Sequence, residues 1–246
     1  MKPVYIVSWL FALAISFVSC DDWLDKTPKD RLYPDVYFKT EDELRLFTNQ
    51  FYNNLVPSAV DIYSESSDLI VKSDLMLEMS GQRIIPDEGN GWNFTALRDI
   101  NFYLQYSHNC TEVNARNRYD GVARFFRAYF YFEKVKRYGD IPWYDKALDS
   151  DDPELYKARD SREFVMQKML EDLDFAIANL PKTKNAYVLT RWTALALKSR
   201  VCLFEGTFRK YHGLEDCEKY LNACVSASET FMNESGYTPV SYTHLT

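Results

Sequence analysis

Residues 124–143 read RFFRAYFYFEKVKRYGDIPW, and this segment sets the expected architecture of the whole chain. Aromatic side chains are dense in it and in the residues just before it, and the pattern predicts one long helix over 116–137. Gly139 follows the last helical residues and is typical of a helix C-cap. A long helix rich in aromatic residues needs other helices to cover it, so the segment predicts a packed helical protein.

The composition agrees with a helical globular protein. The chain has 246 residues, of which 46% are hydrophobic and 16% aromatic, with only eight Gly and nine Pro. These values exclude disordered, collagen-like and low-complexity chains. A protein of many short strands needs more Gly at its turns. The length suits one large domain or two small ones, with room for a sizeable core.

The charge balance is acidic, with a formal net charge of -7 at pH 7. Proteins that bind phosphate backbones carry a basic surface, which this composition does not provide. Nucleic acid is therefore not an expected partner.

The N-terminus has the pattern of a lipoprotein signal peptide over residues 1–19. Lys2 precedes an apolar run without further charge, which is short for a membrane-spanning helix. The run ends at Phe17-Val18-Ser19-Cys20, which resembles a lipobox, although Phe17 is bulkier than the usual Leu. Cys20 is then the predicted lipidation site and the first residue of a mature domain over 20–246. An ordinary signal peptide with an incidental Cys is the alternative.

Helix signals recur along the rest of the chain. Thr40 and Glu43 form a predicted capping box, Ser161 and Thr190 are predicted N-caps, and Gly206 marks a predicted helix end. Another helix is predicted to resume at Trp92 or Asn93, and a last one over 214–232. Such helices, joined by short loops, predict stacked hairpins of the tetratricopeptide type in a mainly all-α fold.

The last predicted helix has no following helix to cover its apolar stripe. A helical solenoid does not normally end in this way. Residues 237–246 are therefore expected to be the edge of a chain that is incomplete at its C-terminus.

No motif of metal, cofactor or nucleophile chemistry is visible. The His residues lie at 108, 212 and 244, in separate segments, and no Cys or His spacing suits zinc. The Cys residues after Cys20 are best interpreted as buried thiols, at positions 110, 202, 217 and 224. Phosphate-binding, dinucleotide and serine-hydrolase motifs are also missing. We therefore expect no cofactor, no bound metal and no catalysis.

Two acidic groups have a simple interpretation. Glu171, Asp172 and Asp174 are predicted to lie on the outer, solvated face of a helix, and not to form a catalytic pair. The acidic run at 149–154 could hold Ca²⁺ through its oxygens, but it lacks the spacing of an EF-hand loop. A solvated loop is the preferred interpretation.

The clearest loop, residues 80–91, has three of the eight Gly and is the best place for a ligand site. Sugars bind by placing apolar C–H faces on aromatic rings while their hydroxyls meet polar side chains. In and beside this loop the candidate ligand-binding residues are Arg83, Asn90, Trp92 and Asn93. For Trp92, a packing role at a helix start is an equally good interpretation.

The segment 124–143 closely resembles the SusD/RagB family of outer-membrane nutrient-binding lipoproteins. Three further stretches agree in the same order: residues 20–28 (CDDWLDKTP), residues 162–181 with Glu171-Asp-Leu-Asp174, and residues 191–201 (RWTALALKSRV). The resemblance extends from residue 1 to about 232. Members of this family are considerably longer.

The resemblance implies a scaffold of tetratricopeptide-like hairpins with a less regular, loop-rich ligand-binding part. It also implies a lipid-anchored protein on the bacterial cell surface, at the outer membrane. Such a protein captures an oligosaccharide and delivers it to a partner TonB-dependent transporter that resembles SusC. The matching stretches are mostly scaffold, and the family's binding residues vary too much to be transferred.

Three other functions stay open at this stage. Some branches of the family bind peptides. A surface glycoside hydrolase needs a pair of cleft carboxylates, which the sequence does not reveal. A purely structural helical-repeat adaptor binds protein and no small ligand.

Overall fold

The computed structural model describes residues 36–56, 80–82, 84 and 91–238. Within these ranges it contains six α-helices, and only isolated β-bridge pairing between Ile141 and Asp160. The helices are α1 (Glu41–Leu55), α2 (Thr95–Tyr106), α3 (Val113–Tyr138), α4 (Arg162–Asn179), α5 (Arg191–Tyr211) and α6 (Cys217–Glu234). Short 3₁₀ turns occupy Ser107–Asn109 and Pro153–Tyr156. The predicted signal peptide and Cys20 lie outside the described residues.

The helices form consecutive packed pairs within one compact unit that begins at Phe38. Helices α1 and α2 pack against α3, and each of α4, α5 and α6 packs against the helix before it. Helix α3 is thus the central element, as its aromatic sequence predicts. The expectation of an all-α fold built from helical hairpins is confirmed.

Most helix ends lie where the local sequence predicts them. The Thr40 hydroxyl accepts a hydrogen bond from the Glu43 N–H at 3.3 Å, and the Glu43 carboxylate accepts one from the Thr40 N–H at 3.0 Å. The Ser161 hydroxyl caps α4 at the Phe164 N–H. Gly139 ends α3. The Thr40 and Ser161 caps satisfy amide groups that a helix start leaves without partners.

Several predicted helix ends are wrong. Helix α2 begins at Thr95, not at about Trp92 or Asn93, and α5 continues past Gly206 to Tyr211. Helix α3 begins at Val113 and not at 116, and α6 begins at Cys217 and not at 214. Gly206 does not end a helix because it serves helix packing: a Cβ there would lie 2.7 Å from the Leu221 side chain of α6. A small residue is needed where two helices approach so closely.

Thiols and small residues fill part of the helix interfaces. Cys110 and Cys202 are buried, as predicted, whereas Cys217 and Cys224 are only half-buried, and all four are free thiols. Ser199 contacts Ser228 across the α5–α6 interface at 2.7 Å between the hydroxyl oxygens.

An aromatic cluster joins α1 to α2. Phe38 is fully buried although its φ is 66°, a backbone conformation that is strained for a bulky residue. Its ring contacts Phe47 at 5.0 Å and Tyr103 at 5.5 Å between ring centroids, in edge-to-face geometry. Contacts of this kind add to the free energy gained by burying the rings. They hold Phe38 in place despite the strain.

The interpretation of Asp172 as a solvated surface residue is wrong. Its side chain is only 3% exposed and forms a two-pronged ion pair with Arg127 of α3, with N–O distances of 2.6 and 2.7 Å. Glu171 and Asp174 do lie on the exposed face of α4. Asp172 faces inward because a buried arginine on the neighbouring helix neutralises it, which the pattern of α4 alone does not reveal.

Replacing Arg127 should be strongly destabilising. Arg127→Met leaves the Asp172 carboxylate buried without its main partner, which should lower the free energy of unfolding by about 3–5 kcal/mol. The double variant Arg127→Met/Asp172→Leu removes both charges and should recover most of this loss. Urea unfolding followed by circular dichroism measures both effects.

A matched control for this test is Arg200→Met, which changes an exposed arginine on α5. It should change stability by less than about 0.5 kcal/mol. A loss below about 1 kcal/mol in Arg127→Met would contradict a stabilising role for the pair.

Asp120, on α3, is a second acidic residue whose carboxyl group is largely buried. Burial raises the pKa of its carboxyl, and the raising effect exceeds the opposing effects of the Ser107 and Tyr103 hydroxyls and of nearby arginines. The folded protein therefore holds this proton more tightly than the unfolded chain does. Ionisation of Asp120 destabilises the fold, progressively as the pH rises from the unfolded pKa through the raised folded one.

The variant Asp120→Asn has no such proton to lose. Its stability relative to the wild type should therefore increase between pH 4 and pH 7, as measured by urea unfolding at both values. Asp151→Asn, in an exposed turn, controls for the general effect of removing a surface carboxylate. A relative stability that falls over this pH range would show that the Asp120 charge supports the fold.

Candidate ligand-binding site

Two clefts flank the segment that leads into α2. We name the first the aromatic cleft; it has a volume of about 600 Å³ and is lined by Trp92, Phe94 and Tyr144 among others. The second cleft has a volume of about 570 Å³ and lies towards α1 and α3, with Asn93 and Tyr129 in its lining. Both volumes are in the range of small-ligand sites.

The aromatic cleft lies between the start of α2 and the long connection from α3 to α4. Its lining combines aromatic, apolar and cationic side chains with one amide, that of Asn101. Its cationic side chains are those of Arg98, Lys146, Lys157 and Arg159. None of the described residues that line this cleft is Asp or Glu.

Asp160, at the end of the α3–α4 connection, is hydrogen-bonded to residues at its beginning. The Ile141 N–H donates to the Asp160 carbonyl at 3.2 Å, and the Trp143 N–H donates to the Asp160 carboxylate at 2.7 Å. Within the loop, the Lys157 ammonium donates to the Trp143 carbonyl at 2.7 Å. These hydrogen bonds hold the backbone of the cleft wall in one conformation.

A buried polar network ties this wall to the helices. Arg127, already paired with Asp172, donates to the Asn101 side-chain oxygen at 3.3 Å. The Asn101 amide in turn donates to the Tyr144 carbonyl at 2.9 Å and to the Lys146 carbonyl at 3.3 Å. The buried ion pair therefore helps to position two residues of the cleft lining.

Tyr131 of α3 supports the same wall from below. Its hydroxyl accepts a hydrogen bond from the Tyr144 N–H at 2.6 Å, and its ring stacks on Trp143 with 4.3 Å between ring centroids. Burial raises the pKa of the Tyr131 hydroxyl, so it stays neutral and can both accept and donate. Tyr144 is thus held through its backbone while its ring lines the cleft.

Trp92 is 40% exposed at the edge of the aromatic cleft. Its ring contacts Phe94 at 5.3 Å and Tyr138 at 4.9 Å, both edge-to-face, and the Arg159 guanidinium lies 5.0 Å from its centroid. Gly91, just before it, has a φ of 81°, which glycine adopts without strain. The ring is therefore held by packing at the start of this segment and is also partly exposed at the cleft edge. The packing role is observed, and the ligand-binding role of Trp92 stays a prediction.

Four cations line the cleft with different degrees of pairing. Lys157 lies 3.1 Å from Asp160, whereas Arg98 and Lys146 are more than half exposed and form looser pairs with carboxylates outside the lining, at 3.9 and 3.6 Å. Among the described residues, Arg159 forms no ion pair, and its guanidinium lies over the Trp92 ring. Exposed pairs of this kind contribute little stability and exchange readily with other partners.

Of the four residues predicted from the sequence, the structure describes two, and these line different clefts. Trp92 lines the aromatic cleft, whereas Asn93 lines the second cleft and its side-chain oxygen accepts from the Thr95 N–H at 2.8 Å. Asn93 therefore has a structural role at the start of α2. Arg83 and Asn90 lie outside the described residues. As a ligand site, all four remain a prediction.

Sequence reasoning missed most of the lining. Tyr144, Lys146, Lys157 and Arg159 lie in the α3–α4 connection, of which only the acidic run at 149–154 is interpreted from the sequence, as a solvated loop. The length of this connection and its Trp143-Tyr144 pair were usable signals, because long ordered loops often carry binding residues. Arg98 and Asn101 gave no such signal, since polar residues on a helix are usually solvated.

The acidic segments form ion pairs. Asp149 and Asp152 approach Arg98 and Lys146, and Glu171 pairs with Lys168. In residues 36–56 and 91–238 no three His, Cys, Asp or Glu side chains gather in a way that could hold a metal ion. No helix in these ranges has both the length and the hydropathy needed to cross a membrane.

Comparison with known proteins adds independent information. The family model SusD-like_2, described as starch-binding associating with outer membrane, matches residues 51–191. SusD-like protein P38 of Formosa agariphila is 25% identical over 226 residues, which is 83% of this chain and 43% of that protein. The chain thus spans less than half the length of this curated relative.

Solved structures share the fold. A SusD-like protein from Bacteroides fragilis matches with a TM-score of 0.67 and 23% identity, over 87% of this chain and 42% of that one. A structure solved with a xylogluco-oligosaccharide matches with a TM-score of 0.50 and 22% identity, over 60% of this chain and 29% of that one. The family match covers more than half of the chain, and the helical fold agrees with it. The chain therefore belongs to the SusD-like family.

Proposed function

We propose that this chain belongs to a cell-surface lipoprotein that binds oligosaccharides and delivers them to a TonB-dependent outer-membrane transporter. The observation that carries the binding part is the aromatic cleft, where Trp92, Phe94 and Tyr144 border a space of about 600 Å³. Sugar rings present apolar C–H faces that pack on aromatic rings, and their hydroxyls need hydrogen-bonding groups nearby. The cleft offers both.

Family membership supports the same proposal. Its description combines starch binding with association with the outer membrane. A structural relative was solved with a xylogluco-oligosaccharide. Delivery to a SusC-like transporter is the role that the resemblance implies for such a protein.

Binding without catalysis is part of the proposal. Hydrolysis of a glycosidic bond needs two carboxyl groups on opposite sides of the bond. The described lining of the aromatic cleft provides cations and aromatic rings instead.

The binding proposal predicts that Trp92→Ala weakens glycan binding at least about tenfold, because a sugar ring loses its apolar platform. A glycan array that includes maltooligosaccharides and xyloglucan oligosaccharides, followed by calorimetry on the full, unlipidated chain, measures this. Tyr211→Ala is the control, since Tyr211 is 82% exposed and lines neither cleft.

The possible outcomes separate the functions. Saturable glycan binding that is lost in Trp92→Ala supports the function and the site together. Unchanged glycan binding in Trp92→Ala would support the function but would show that the binding site lies elsewhere. Binding to a peptide panel alone would favour peptide import, and binding to neither class would favour an adaptor.

The anchoring proposal predicts that Cys20 carries lipid. In a bacterial host, the wild-type chain should incorporate labelled palmitate and sediment with membranes, whereas Cys20→Ala should do neither, because several acyl chains are needed for stable anchoring. Cys224→Ala, at a half-buried free thiol, is the control. Lipid incorporation by the Cys20→Ala chain would exclude Cys20 as the anchor.

A further inference from the structure

We propose that the aromatic cleft recognises an anionic sugar residue, one that bears a carboxylate or a sulfate group. This inference rests on the proposed glycan-binding function and specifies the class of ligand. It follows from the distribution of charge in the cleft, which differs from that of the protein as a whole.

The whole chain carries a formal net charge of -7, yet the charged residues in the described lining are all cations. They enter from different elements: Arg98 from α2, and Lys146, Lys157 and Arg159 from the α3–α4 connection. The carboxylates near them, Asp149, Asp152, Glu154 and Asp160, lie outside the lining. The described lining of the cleft is therefore cationic and aromatic.

Two of these four carboxylates also accept hydrogen bonds from the loop backbone. Asp160 accepts the Trp143 N–H at 2.7 Å and Asp152 accepts the Glu154 N–H at 2.9 Å. The same two carboxylates also lie near lysines of the lining, Asp160 at 3.1 Å from Lys157 and Asp152 at 3.6 Å from Lys146. Arg98 pairs loosely with Asp149 at 3.9 Å. Among the described residues this leaves Arg159 as the lining cation that forms no ion pair.

Arg159 is the best-placed ligand contact. Its side chain is exposed, forms no ion pair within the described residues, and is held over Trp92 at 5.0 Å. Arginine can bind a carboxylate or a sulfate with two parallel hydrogen bonds, and these charge-assisted bonds are stronger than neutral ones. A guanidinium beside an aromatic platform suits a sugar ring that carries an acidic substituent.

The start of α2 adds partial positive charge to the same cleft. Thr95 and Leu97 of its first turn belong to the lining, and this turn has no acidic residue. Helix N-termini favour nearby negative charge, because their first amide groups point outward. This contribution has the same sign as that of the four cations.

Matched ligand pairs test the inference on the full, unlipidated chain. Oligogalacturonates are compared with their neutral methyl esters for the carboxylate case, and carrageenan oligosaccharides with their desulfated forms for the sulfate case. The charged member of at least one pair should bind about tenfold or more tightly than its neutral partner. Raising the salt concentration should weaken this preference.

Variants of Arg159 locate the effect. Arg159→Gln should weaken binding of the charged ligand about tenfold or more and leave the neutral partner nearly unchanged, and Arg159→Lys should give an intermediate loss. Arg200→Gln, at an exposed arginine on α5 that lines neither cleft, should change nothing.

The outcomes keep the two proposals apart. Equal binding of the charged and neutral members, or a preference for neutral starch or xyloglucan fragments, would overturn the anionic inference and leave glycan binding standing. Binding of no glycan at all would overturn both. A charge preference that survives Arg159→Gln would also contradict the role given to Arg159.

Discussion

The buried pair between Arg127 and Asp172 connects the scaffold of this protein to its candidate site. It joins α3 to α4 through two short hydrogen bonds in a region almost closed to solvent. Buried charges are costly unless each finds a partner with good geometry, so α3 and α4 have one favourable alignment. That alignment also fixes where Asn101 must meet Arg127, and Asn101 holds the carbonyls of Tyr144 and Lys146.

The division between scaffold and site follows from this arrangement. Helices α3 to α6 bury apolar and small side chains against one another, and they provide a rigid base. The α3–α4 connection leaves this base, is closed by Asp160, and presents aromatic and cationic side chains to a cleft. A loop on a rigid support can change its lining residues while the fold stays the same, as expected for a family whose ligands vary.

Most of the scaffold was predictable from the sequence because its signals are local. Each of these signals depends only on residues a few positions away. Examples are the capping box of Thr40 and Glu43, the cap at Ser161 and the end of α3 at Gly139. The prediction that Gly206 ends a helix is wrong because glycine is needed there for packing. A Cβ at this position would collide with the Leu221 side chain on another helix. Of the site, only Trp92 was predicted among the residues that line the aromatic cleft.

The sequence alone determined the helices, most of their ends and the kind of protein they build, since periodicity and capping depend on near neighbours. Only the tertiary structure decided that Asp172 is buried, that Trp92 and Asn93 line different clefts, and that four cations line the same cleft as the aromatic rings. The physical reason is that these properties depend on contacts between distant segments. The partners Arg127 and Asp172 are 45 residues apart, and no local pattern shows that they meet.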